Sequence, residues 1–110
     1  MFKHLILLLF GALGSLLLNA QIPAIEWENT IGGTGTETIP KIKQTPDGGF
    51  IIGGASDSEV SGDKTGVNYG YPDYWVVKVD SNGNTQWDLT LGGSGNDFLT
   101  CLDNTTDGGF

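Results

Sequence analysis

The chain of 110 residues has no arginine, one cysteine (Cys101) and one histidine, and that histidine is His4, close to the start. A single thiol cannot close a disulfide within the chain. With no imidazole past the first residues, the familiar nucleophile–histidine pairs and histidine-ligated metal sites are excluded. Beyond residue 20 no stretch repeats its apolar residues at helical spacing, so helices are not expected there. Apolar residues are few, and stability has to come from packing repeated units together rather than from one large core.

What the chain has is glycine and acid. There are 18 glycines, and 13 aspartates and glutamates stand against 5 lysines, for a net charge of −8. Such a surface repels phosphate backbones and anionic lipid, so nucleic acids and membrane surfaces are excluded as partners.

The first twenty residues are set apart. Lys3 and His4 precede a continuous apolar run over residues 5–18, and Asn19-Ala20-Gln21 follows. A basic start, an apolar centre and a small residue at the cut are the parts of a secretory signal peptide. Fourteen residues as a helix span about 21 Å, short of the roughly 30 Å hydrocarbon layer of a membrane. Residues 1–20 are therefore expected to form a signal-peptide helix, cleaved between Ala20 and Gln21. The remainder is expected outside the cell, secreted or at the cell surface, with no membrane contact after cleavage.

The chain then repeats itself. Residues 27–50 read WENTIGGTGTETIPKIKQTPDGGF, and residues 87–110 read WDLTLGGSGNDFLTCLDNTTDGGF. The offset is sixty, without a gap, and ten of the 24 positions are identical. Identities fall on turn motifs and strand anchors: Trp27 and Trp87, Gly48 and Gly49, Gly108 and Gly109. A fixed period with conserved punctuation marks one supersecondary unit per copy. Within a unit, the first strand is expected at residues 38–45, with a bulge at Pro40, which lacks a ladder donor. The Asp47-Gly48-Gly49 turn follows, then a strand at 50–55, a long polar loop at 56–72, and a strand at 73–80. An Asn82-Gly83 hairpin leads to the fourth strand at 85–91, with Trp87, Leu89 and Leu91 inward. The reading is all-β: antiparallel four-stranded blades of about sixty residues from a β-propeller, with a β-solenoid or β-sandwich as the alternative architecture. Residues 21–37 are assigned to the last strand of a preceding repeat and a linker, 38–97 to one complete repeat, and 98–110 to the start of the next. The second copy reaches only its Asp-Gly-Gly-Phe turn, so the chain is expected to be a fragment whose neighbouring blades are missing.

These residues resemble a family. The segments at 25–35 (IEWENTIGGTG), 45–58 (TPDGGFIIGGASDS), 61–65 (SGDKT) and 73–87 (DYWVVKVDSNGNTQW) are similar to repeats in secreted proteins of Bacteroidetes-type bacteria. Those proteins are delta-sixty-like β-propellers, often exported by the type nine secretion system. The resemblance implies a rigid extracellular scaffold for recognition of a glycan or protein. It carries over no catalytic residue and no cofactor.

Several stretches invite chemical readings. Asp80-Ser81-Asn82-Gly83-Asn84 begins like a calcium loop, but Thr85 and Leu91 stand where glycine and the bidentate acid are needed, so it reads as a hairpin turn and no metal is assigned. The glycine-rich segments 32–35 and 92–95 lack the Gly-Lys-Ser/Thr of a phosphate loop. Asp57, Glu59, Asp63 and Asp73 gather around the long loop beside Tyr69, Tyr71 and Tyr74. Acids beside flat aromatic rings suit a sugar, and Asp63, Tyr69, Tyr71 and Asp73 are the candidate ligand contacts. Were two of the acids paired across one pocket, the unit would belong to a polysaccharide-degrading enzyme. Asn104-Thr105-Thr106 matches a glycosylation acceptor pattern, which matters only in a glycosylating host.

Overall fold

A computed structural model describes residues 5–8, by their backbone, and residues 23–110. The described residues form six strands: β1 (Leu5–Leu8), β2 (Ile25–Asn29), β3 (Glu37–Gln44), β4 (Phe50–Ser56), β5 (Asp73–Val79) and β6 (Thr85–Leu91). The described residues contain no helix. Leu5–Leu8 pairs antiparallel with β2; the rest of the expected signal-peptide helix, and the Ala20–Gln21 cut, lie outside the described residues.

Strands β3 to β6 form one four-stranded antiparallel sheet in sequence order. Each hairpin follows from its turn chemistry. Gly48 (φ 83°) and Gly83 (φ 82°) supply the left-handed backbone of the two tight turns. Thr45 and Gly49 close the first by a backbone bond of 2.9 Å, and Asp80 and Asn84 close the second at 2.9 Å. The register of β3 on β4 slips between Thr38 and Lys41, which is the bulge that Pro40 demands.

Pairing sorts the side chains into two faces. Ile52 lies opposite Val77, and Phe50 opposite Val79. These residues and Trp75 make the front face, and Ile31, Ile52, Trp75, Val77 and Val79 form its buried core, with Trp27, Ile39 and Phe50 packed against it. Trp27 and Ile31 come from the segment before the sheet, so the preceding copy roofs the front. Trp27 meets Phe50 edge-on at 5.9 Å between ring centres.

The back face carries Ile51, Gly53, Val76, Lys78, Trp87, Leu89 and Leu91. The side chains of Leu99 and Leu102, from the second copy, lie over Gly53. Residues 98–104 belong to no strand. Trp87, Leu89 and Leu91, expected inward, are 41%, 47% and 49% exposed. They stand on the face that only the start of the second copy reaches, where Trp87 packs on Phe110 at 6.1 Å. The Gly83 turn is covered by the ring of Trp27.

The turn at 45–49 recurs at 105–109 in structure as well as in sequence. Thr105 and Gly109 repeat the backbone bond of Thr45 and Gly49, at 2.8 Å. Asp107 accepts from the Thr105 hydroxyl and the Gly109 amide, just as Asp47 accepts from Thr45 and Gly49.

Candidate functional site

The long loop between β4 and β5 runs along one end of the sheet and is held by its own polar side chains. Its first half captures the glycine-rich segment of the preceding copy. Asp63 accepts the Gly32 amide at 3.0 Å, Ser61 Oγ the Thr34 amide at 3.0 Å, Ser58 Oγ the Gly35 amide at 2.8 Å, and Asp57 the Thr36 amide at 2.6 Å. The Asp63 amide returns a bond to the Gly32 carbonyl at 3.0 Å. Gly62, at φ 56°, passes so close to that carbonyl that a side chain there would collide with it. The amides of Gly32, Thr34, Gly35 and Thr36 are therefore already taken and do not cradle an anion.

The second half is tied to the sheet. Asp88 on β6 accepts from the Thr65 amide (2.9 Å), the Thr65 hydroxyl (2.5 Å) and the Trp75 indole (2.8 Å). Asp73 on β5 is fully buried and accepts the Tyr69 amide at 2.6 Å. The Asp97 amide donates to the Pro72 carbonyl at 2.8 Å. Between these ties Tyr69 and Tyr71 stand 55% and 62% exposed, with Val67 beside them in sequence at 51%. A fixed backbone thus presents two phenol rings to solvent.

The four candidate contacts divide accordingly. Tyr69 and Tyr71 are free to meet a ligand. Asp63 and Asp73 each hold a backbone amide, of Gly32 and Tyr69 respectively, and Asp73 has no exposed surface with which to meet a ligand. Among the described residues no three acidic, histidine or cysteine side chains converge as metal ligands. Asp80 accepts the amides of Asn82 and Asn84, both at 2.9 Å, and so closes its own turn. These bonds, that of Asn84 foremost, hold its carboxyl below the ordinary range. Exposed Cys101 is a free thiol.

Besides Asp73, three buried ionisable residues carry no sequence signal of burial. Glu37 accepts the Ser56 hydroxyl at 3.0 Å and also that of Ser58. Lys64 is 1% exposed, and its ammonium donates to the Gly66 carbonyl at 2.8 Å. Burial pushes its pKa down, while the carboxylates of Asp73, Glu59, Asp88 and Glu37 oppose that shift. Lys78, on the back face, binds Asp47 (3.0 Å), Gln86 (2.9 Å) and the Val79 carbonyl (2.9 Å), pinning the first turn to the sheet. Serine and lysine in a polar loop read as solvated; only the close approach of loop to sheet end removes them from water.

An apolar cleft of about 380 Å³ lies between Ile39, Pro40 and Ala55 on one side and Phe98 and Leu99 on the other. It sits on the seam between one copy and the next. Comparison of the chain with protein-family profiles, with curated proteins and with solved structures found no match.

Proposed function

We propose that this chain is part of a secreted β-propeller scaffold in which each sixty-residue unit is one blade, displaying Tyr69 and Tyr71 for recognition of an extracellular glycan or protein. The observation that supports it most is contact between equivalent residues. Asp103 reaches Lys43 at 2.7 Å, and Asn104 reaches the Gln44 carbonyl at 2.9 Å, each pair sixty residues apart. Units related by rotation bring equivalent atoms together only near the axis. Stacked rungs of a solenoid would do so along every strand. Here the contact is made at β3, whereas Trp27 on β2 touches Phe50 and the Gly83 turn and not its counterpart Trp87. That pattern fits blades with β3 innermost and β6 outermost.

Export follows from the leader, and recognition from the tyrosines. Flat rings with a polar edge stack on sugars and on peptide surfaces, and the negative field disfavours polyanions. The role as a hydrolase has less support, since Asp63 and Asp73 are occupied with loop amides. The test has two arms. Residues 1–24 fused to a reporter should direct export, with a mature terminus at Gln21. The exported chain should bind members of a panel of neutral glycans, and Tyr69→Ala with Tyr71→Ala should weaken binding about tenfold or more. Retention of the reporter inside the cell, or binding indifferent to both tyrosines, contradicts the reading.

A further inference from the structure

The two edges of the sheet are built differently. The β3 edge is blunted: Pro40 removes a donor, the ladder slips between Thr38 and Lys41, and Lys41 and Lys43 project from it. These are the devices by which sheets avoid edge-to-edge pairing. The β6 edge is less protected: its ladder on β5 also slips, between Thr85 and Trp87, but it runs regularly from Trp87 to Leu91. Its seven residues, Thr85-Gln86-Trp87-Asp88-Leu89-Thr90-Leu91, contain no proline, no glycine and no lysine. Strand β6 ends the sheet, and among the described residues no loop makes a backbone hydrogen bond to it. Its sole charge, Asp88, is already bound by Thr65 and Trp75. Neighbouring units stack on the faces of the sheet, so this edge stays open in an array as well; the inference goes beyond the scaffold reading.

We propose that β6 is a self-association edge, pairing antiparallel with β6 of a second copy of this chain across a twofold axis at Leu89. The strand is complementary to itself in that register. Trp87 falls opposite Leu91 of the copy, Leu89 opposite Leu89, and Asp88 opposite Thr90, so no like charges face each other. The apolar row is the one already 41–49% exposed. The pair extends the β5–β6 ladder into a continuous eight-stranded sheet, and an isologous contact of this kind closes at two copies. A register centred on Asp88 would set Asp88 against Asp88, which disfavours it.

The test uses the full chain with Cys101→Ser. Sedimentation equilibrium should show a monomer–dimer equilibrium, and Leu89→Lys should weaken it about tenfold or more by placing two cations at the axis. In parallel, under a mild added thiol oxidant, Leu89→Cys should form an intermolecular disulfide rapidly, because directly opposed residues of an antiparallel pair lie within disulfide reach. Thr85→Cys, away from the axis, should not. This second arm decides the matter even if Leu89→Lys impairs folding. A monomer at every concentration, a dimer indifferent to Leu89→Lys with its sheet intact, or equal cross-linking at 85 and 89 overturns the proposal.

Discussion

The side-chain amide of Asn104 donates to the backbone carbonyl of Gln44, the residue that occupies the same place one repeat earlier. The neighbouring pair, Lys43 and Asp103, stands in the same relation at 2.7 Å. Two successive copies therefore meet through equivalent positions, and the meeting is polar, directional and local to the first strand of the unit. The same segment of the second copy lays Leu99 and Leu102 on the back of the sheet at Gly53. Asn104→Ala should lower stability by about 1 kcal/mol in a urea titration, the ordinary net worth of one hydrogen bond. Lys43→Ala should cost little, because both partners are exposed, and added salt should erase the difference. A large loss that salt leaves intact would mean that the ion pair is not a surface contact.

Adjacent glycines in β4 should respond unequally to alanine. A Cβ at Gly54 would run into the Thr38 carbonyl and backbone of β3. A Cβ at Gly53 meets the methyl groups of Leu99 (3.1 Å) and Leu102 (3.3 Å), ends of side chains that can turn aside. Gly54→Ala should destabilise by about 2 kcal/mol or more, as overpacking against backbone does. Gly53→Ala should stay within about 1 kcal/mol of the parent. Chemical denaturation of the two variants checks the order.

Asp88 ties the long loop to β6 and also satisfies the Trp75 indole. Asp88→Ala should cost about 1–3 kcal/mol through orphaned donors. Its signature is local: hydrogen exchange at the Thr65 amide should accelerate, while amides in β4 keep their protection. Uniform acceleration through the sheet would show that the loop is not an independent element.

Acid should weaken the turns first. The carboxyl of Asp47 is held well below the ordinary aspartate range by the Thr45 hydroxyl, then by the Gly49 amide and Lys78. Asp107 is lowered in the same way by Thr105 and Gly109. Groups with a depressed folded-state pKa contribute stability above the unfolded value, about 4, and that contribution drains away as pH falls toward the folded value. Stability should therefore decline below about pH 4, and Asp47→Asn should flatten that decline. An unchanged slope in the variant would remove Asp47 from the account.

Much of the sheet was legible because its signals are local. Alternation in residues 73–79, glycine after Asp47 and Asn82, and the bulge demanded by Pro40 each act over a few residues. The fates of Trp87 and Asp73 were not, since burial depends on what arrives from elsewhere in the chain. Trp87 and Trp27 occupy the same repeat position and meet equivalent rings, Phe110 and Phe50, yet Trp27 also packs against the core of the finished sheet and Trp87 is left half exposed. Likewise Asp57, Ser58, Ser61 and Asp63 show as a polar cluster, but that they read the amides of residues 32 and 34–36 emerges only when loop and glycine segment are side by side. Lys64 gives no sign of burial at all, because the nearest charges come from strands and loop together.

The most direct test of the proposed rotational arrangement is single-particle imaging of a chain that carries further sixty-residue copies after residue 97. The account predicts a disc with one four-stranded sheet per copy and the Gln44–Asn104 contact repeated around its centre. A rod of stacked rungs, or separate beads on a string, would contradict it.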